Sequence, residues 1–324
     1  MKRIFAGLVL CIFATGLPVN VSAEPPETKQ IKLGFSEMSL IGVWRTAHMK
    51  SAYDEAKKRN IDFWGSDARM NRNRQIDRLR YFIERKVDVI AFTPVAFNGY
   101  EEVLREIKAA GIPVILLDWT VQTKDERLWT TMIGNDFAEE GKTAARWLAE
   151  YVKKKKNPHG EVLILELTGA PDQPYTIGIH SGFAGAAAGN AQWRFVENVD
   201  VVKYGGHKQT VLALLAESKK TGKKIDVIFA HSDTIALAAI DAIKDSGRKP
   251  GEDIIVVSIN GSADGIMAIR RGELACSVEH TPYYGAQVID TVEALVRGEA
   301  VPRIIPVRGR VIDETNAEDI DNEW

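Results

Sequence analysis

An α/β fold of two doubly wound, parallel-sheet lobes is predicted by three features of the sequence. Short apolar runs rich in β-branched residues recur along the chain, each too short to be a helix. Each run ends in a polar tip and passes into a stretch with helical apolar spacing, the alternation of a parallel sheet covered on both faces. The 324 residues exceed the roughly 250–300 that one hydrophobic core supports, so two such units are expected.

The stretch Ile225–Ile243 shows the unit most clearly. Ile225–Ala230 reads as a buried strand, His231-Ser232-Asp233 as its polar tip, and Ile235, Ala236, Ala239, Ala242 and Ile243 as the inner face of a helix. Ser232 or Asp233 suits the N-cap, where a side-chain oxygen accepts an orphan backbone N–H. The same unit is read elsewhere. Strands are expected at Ile31–Phe35, Ile61–Gly65, Val87–Phe92, Val114–Leu117, Trp129–Ile133, Glu161–Leu167, Phe195–Tyr204, Ile254–Ile259 and Leu274–Val278. Helices are expected from Trp44 to about Arg59, over Arg72–Arg85, through Ala110, over Phe137–Lys153, through Gly189, and over Thr210–Lys219, Ala263–Arg271 and Tyr283–Arg297. Gly111-Ile112-Pro113 is a stop and restart. A basic break at Lys153–His159 separates the two series.

Residues 1–23 read as a secretory signal: Lys2-Arg3, an apolar run from Phe5 to Leu17, and Val21-Ser22-Ala23 as the cleavage site. Large Leu10 before Cys11 does not suit a lipid anchor. Export follows, with cleavage near Ala23. Beyond the signal one cysteine remains, Cys276, in an apolar strand; a buried, inert thiol is expected and no internal disulfide. A net charge of -2 gives no electrostatic support to nucleic-acid binding.

The sequence lacks a dinucleotide fingerprint, a phosphate-cradling loop, an H-E-x-x-H or C-x-x-C metal motif and a nucleophile elbow. His231-Ser232-Asp233 carries the letters of a hydrolytic triad, but neighbours on an extended chain point to opposite faces. No enzyme, metal or cofactor is expected. What remains is a set of groups at strand tips, where open α/β sheets bind ligands. Ser36, Arg45, Asp118, Asn135, Asp233, Asn260, Glu279 and His280 can exchange hydrogen bonds with hydroxyls, and Trp44 and Trp119 can cover a sugar's C–H face. The alternative is that the carboxylates and serines are caps and the tryptophans core.

Taken together these residues resemble a known family, the type I periplasmic sugar-binding proteins of ABC importers, and within it the galactofuranose-binding branch. The resemblance is carried by Gly34-Phe35-Ser36 with Trp44-Arg45, Gln75-Ile76, Pro94-Val95, and Ile112-Pro113-Val114 through Asp118. It continues in Ala230-His231 with Asp233, Ser258-Ile259, and Ala275 through Glu279 with Thr281-Pro282. It implies two lobes joined by three crossovers, one of residues 30–136 plus 281–308 and the other of 137–280 plus 309–324. It also implies a monomer that closes on a small sugar or related polyol by hinge rotation and delivers it to ABC permease subunits in the inner membrane. A periplasmic partner of a membrane sensor kinase is the alternative function. This chain departs from the family at Trp119 and Ile179, where arginines are usual, at Ser232 for Asn, and at Asn260 for Asp. Two cations and one anion are lost together, which implies a less charged cleft. His280 stands where ribose-type relatives carry Gln.

Overall fold

The computed structural model describes residues 29–154, 161–171, 173–200, 206–222 and 224–321. The expected signal at 1–23 with Cys11, residues 155–159 of the basic break, and the end of the Phe195–Tyr204 strand lie outside the described residues.

Residues 31–321 carry two six-stranded sheets. In chain order the first lobe begins with β1 (Lys32–Glu37), α1 (Val43–Lys58), β2 (Asp62–Asp67), α2 (Arg72–Glu84), β3 (Val89–Phe92), α3 (Glu101–Ala109), β4 (Val114–Leu117) and β5 (Thr131–Asn135). The second lobe follows with α4 (Phe137–Lys154), β6 (Val162–Thr168), α5 (Pro174–Ala187), β7 (Trp193–Asp200), α6 (His207–Thr221) and β8 (Val227–Ala230). It continues with α7 (Asp233–Asp245), β9 (Ile255–Asn260), α8 (Ala263–Arg270) and β10 (Cys276–Glu279). The chain then returns to the first lobe with α9 (Gly285–Val296) and β11 (Ile304–Val307), and crosses back for β12 (Val311–Asp313). Strand order is β11-β5-β4-β3-β1-β2 in one sheet and β12-β10-β9-β8-β6-β7 in the other. The chain therefore passes between sheets three times, after Asn135, Glu279 and Val307.

The core explains this arrangement. Along β3 and β4 alternate residues serve opposite faces: Val89, Ala91, Ile115 and Leu117 pack under α1 and α9, whereas Ile90, Phe92, Val114 and Leu116 pack under α2 and α3. A strand buried on both faces must read as continuously apolar, and these do. The second sheet is covered in the same way, by α4 and α5 on one face and α6, α7 and α8 on the other. Each fully buried Phe or Ile of this kind contributes about 1.5–3 kcal/mol.

Three differences from the sequence reading have physical causes. The strand β1 runs two residues further, because Ser36 and Glu37 pair in register with Ser66 and Asp67 of β2. The strand β5 begins and ends two residues later, which makes Asn135 its last residue. The strands β11 and β12 were not read at all. They are four and three residues long, β11 contains Pro306, and both lie at sheet edges, where a proline removes no ladder bond. β12 also pairs antiparallel with β10, so the second sheet is not wholly parallel. Cys276 is fully buried, and burial pushes its thiol well up.

Candidate functional site

Between the lobes lies a cavity of about 320 Å³ lined by Arg45, Trp119, Phe137, Glu140, Tyr175, Ile179, His231, Ser232, Ile235, Ile259, Asn260 and His280. The first two come from lobe one, His280 from a crossover, and the rest from lobe two. Strand ends and helix starts supply most of these residues, the position expected for a ligand site in an open α/β sheet.

The lobe-one wall is built around Asp118, just past the end of β4. Asp118 adopts φ 58, a left-handed conformation uncommon for a residue with a side chain. Gly134 on β5 permits it, since a Cβ there would stand 2.6 Å from the Asp118 Cα. Its carboxylate is buried and accepts from Arg45 at 2.5 Å and from the Tyr284 hydroxyl at 2.7 Å. Arg45, in the first turn of α1, also stands 3.5 Å from Glu37, whose other oxygen is 2.8 Å from His48 Nδ1. Burial alone would raise the Asp118 carboxyl, but the Arg45 charge, with His48, His280 and the Tyr284 hydroxyl, holds it below its ordinary range. Charges on this wall therefore largely satisfy one another.

His280 links the lobes. Its ring is stacked between Phe137 of lobe two, 5.4 Å away, and Trp44 of lobe one, 5.1 Å away. Its Nδ1 is 2.8 Å from Glu140 Oε1, and its backbone carbonyl accepts from the Trp44 indole at 2.7 Å. Burial would lower the imidazole, yet the Glu140 carboxylate beside it holds it raised. Burial in turn pushes the Glu140 carboxyl up.

The lobe-two wall is different. Ile179, Ile235 and Ile259 give it an apolar floor. Close approach of α4 and α5 brings Ile179 there: a Cβ on Gly141 would collide with the Ile179 carbonyl, and one on Gly182 with the Ala138 carbonyl. Two polar groups break this floor. Glu140 is buried, and its Oε2 has no hydrogen-bond partner in the protein. His231 is buried too; its Nε2 lies 2.8 Å from Glu166 Oε1, while its Nδ1 has no partner. Glu166 also holds His180 Nδ1 at 2.9 Å. Asn260 ends β9 with φ 129, and its carbonyl accepts from the His280 N–H at 3.0 Å.

Of the ten candidates from the sequence, Arg45, Trp119, Asn260 and His280 are brought together on this cavity. The other six are placed elsewhere. Asp118 and Asn135 border a neighbouring cavity of about 420 Å³, which shares Trp119 and Phe137 with the first. Trp44 backs His280 rather than facing the cavity. Ser36 is fully buried and accepts from Gln75. Glu279 is taken up by Arg310 of the last crossover, which grips it through two guanidinium bonds of 2.8 and 3.0 Å. Asp233 is the clearest correction. Its carboxylate accepts from Ser258 at 2.5 Å, Ser277 at 2.7 Å, and both the N–H and hydroxyl of Ser262 at 2.6 and 2.7 Å. It ties together the tips of β8, β9 and β10, and no oxygen is left for a ligand. Ser232, not Asp233, caps α7 through Ile235 N.

Neither Glu140 nor His231 is among the ten candidates from the sequence, although His231 reads as part of a strand tip. Glu140 looked like an ordinary acid in a first helical turn; only Gly141 after it signals the close helix contact. A larger groove of about 670 Å³ runs along the outer face of α1, lined by residues such as Val43, Lys50, Lys58 and Tyr283, but no residue of lobe two reaches it. Among the described residues no group of three or more His, Cys, Asp or Glu is placed to hold a metal, and no helix is long and apolar enough to cross a membrane.

Two lobes of this topology with a cavity between them define a class of ligand-binding protein, and the comparisons place the chain in it. Residues 39–300 match the periplasmic binding protein domain, and the chain belongs to that family. It is 33% identical over 274 residues to the galactofuranose-binding protein YtfQ of Escherichia coli K12, which covers 84% of each chain. A Mycobacterium smegmatis protein solved with β-D-fucofuranose is 34% identical, with a TM-score of 0.74 over 89% of this chain and 93% of that one. The periplasmic binding component of the arabinose ABC transporter of Shewanella sp. ANA-3, solved with L-arabinofuranose, is 31% identical, with a TM-score of 0.75 over 89% and 93%. YtfQ and the Shewanella protein are both named as binding proteins.

Proposed function

We propose that this protein captures a small sugar in the 320 Å³ interlobe cavity by hinge closure and hands it to an ABC permease in the inner membrane. In this reading it works as a periplasmic monomer after removal of residues 1–23, with lobes of 30–136 plus 281–308 and 137–280 plus 309–324. The observation that carries the reading is the cavity itself: both lobes and a crossover line it, and it combines an arginine, an indole and buried hydrogen-bonding groups. Sugar sites take this form, since flat aromatic faces cover C–H groups while a few placed polar groups fix the hydroxyls. The relatives' furanose ligands agree with it.

The ligand is less polar than galactofuranose, or presents a more apolar face. Trp119 stacks on Phe97 at 5.7 Å and also borders the cavity, while Ile179 lies on the floor and Asn260 is uncharged. A 6-deoxysugar or a ring with a flat C–H face fits such a surface. The test is a thermal-shift screen over D-galactose, D-fucose, L-arabinose, D-ribose, polyols and pyranose sugars. A sugar at 100-fold its Kd adds about 2.7 kcal/mol of stability. Stabilisation by none of them would remove the sugar reading.

A further inference from the structure

We propose that Glu140 and His231 form a pair of hydrogen-bond acceptors on lobe two that selects sugars offering two hydroxyl donors to that wall. This rests on the sugar-binding reading above and assigns the residues that set its specificity. Both side chains are more than nine-tenths buried, both line the interlobe cavity, and each carries a polar atom without a partner in the protein.

Their partners suit that role. Glu166 lies 2.8 Å from His231 Nε2 and 2.9 Å from His180 Nδ1, placed to accept from both rings. With the His231 proton on Nε2 toward Glu166, Nδ1 presents a lone pair to the cavity. Glu140 Oε1 accepts from His280 Nδ1 at 2.8 Å, which leaves the lone pairs of Oε2 free. Across the cavity the Arg45 guanidinium has donors and no acceptor. A ligand thus meets acceptors on one wall and donors on the other. A sugar hydroxyl can serve either wall, but its proton can point to only one, so the two walls orient the ring. Buried acceptors left unpaired discriminate strongly against an analogue lacking the matching donor.

The experiment is calorimetric titration of D-galactose, D-fucose and L-arabinose into the full chain and three variants, with thermal unfolding of each unliganded protein alongside. His231→Gln places an amide where Nε2 stood, keeping a bond to Glu166 and removing the cavity acceptor; affinity should fall about tenfold. His231→Asn places its oxygen near the position of Nδ1 and should bind more tightly than His231→Gln. Glu140→Gln spends its carbonyl on His280 and turns an NH₂ toward the cavity, with a loss of about tenfold or more. A merely structural role would move the unliganded unfolding temperatures without separating Asn from Gln at position 231, and that result overturns the proposal. So does retention of affinity within twofold in all three variants, which leaves sugar binding intact. A wild-type chain that binds none of the three sugars overturns the sugar reading itself, and the acceptor pair with it.

Discussion

Two aspartates lie past buried apolar strands, Asp118 after β4 of lobe one and Asp233 after β8 of lobe two, and the molecule uses them in opposite ways. Asp118 follows β4 in a left-handed turn, and its carboxylate meets Arg45, a cation that itself faces the cavity. Asp233 follows β8, turns away from the cavity, and is enclosed by three serines from β9, β10 and the start of α8. One aspartate therefore supports a ligand-facing charge, and the other holds three strand tips in place. The walls differ likewise. Lobe one presents charges that have already paired, whereas lobe two presents an apolar floor interrupted by two unpaired acceptors.

The largest effect that can break this comparison is at Arg45. Removing it leaves Asp118 and Glu37 as buried anions without their cation, and breaking a buried pair in this way costs about 3–5 kcal/mol. Chemical unfolding of Arg45→Ala should show that loss, together with sugar binding too weak to detect. A loss below about 1 kcal/mol would mean the wall does not depend on the pair.

Asp233→Ala comes next. It strands buried hydroxyls, so stability should fall by about 1–3 kcal/mol. Affinity in the protein that remains folded should stay within threefold, because no ligand contact is lost. An affinity loss with unchanged stability would return Asp233 to the site.

Trp119→Ala should weaken sugar binding by about 1–1.5 kcal/mol, roughly five- to tenfold, through lost stacking. Intrinsic fluorescence of the wild type should change on binding, and much of that change should be absent in Trp119→Phe. If Trp119→Phe keeps both the affinity and the whole signal, the indole only packs against Phe97.

The smallest effect is in the pH profile, where the two regions should carry opposite signs. The Asp118 carboxyl is held below its ordinary 3.8, so its contribution is present above that pH and lost as pH falls through the lowered value. His280 is raised above its ordinary 6.5 by Glu140, so its contribution is present below 6.5 and lost as pH rises through the raised value. The Glu140 carboxyl, raised above 4.5 by burial, acts in the same direction as His280. Unfolding free energy should thus decline on the alkaline side, and His280→Gln should flatten that decline. Identical alkaline slopes would show that the His280–Glu140 contact has no such role.

The sequence reveals the fold more fully than the site. Runs such as VIAF at 89–92 and VIFA at 227–230 are legible because a strand covered on both faces has no polar position to interrupt it. The short edge strands β11 and β12 escape because Ile304–Val307 holds a proline and Val311–Asp313 is only three residues long. At the site, the strand-tip rule finds Arg45, Trp119, Asn260 and His280. It does not distinguish Asp118 from Asp233, since the serines that consume Asp233 lie 25, 29 and 44 residues further along the chain. It also misses Glu140, whose burial arises only when α5 closes over Gly141.

The most direct test is a crystal structure of the chain grown with whichever of D-galactose, D-fucose and L-arabinose raises its unfolding temperature most. The sugar should lie between Trp119 and Ile179, within hydrogen-bond distance of Arg45, with hydroxyls donating to Glu140 and His231. A sugar seated instead in the groove on the outer face of α1, among Val43, Lys50 and Tyr283, would contradict the assignment of the interlobe cavity.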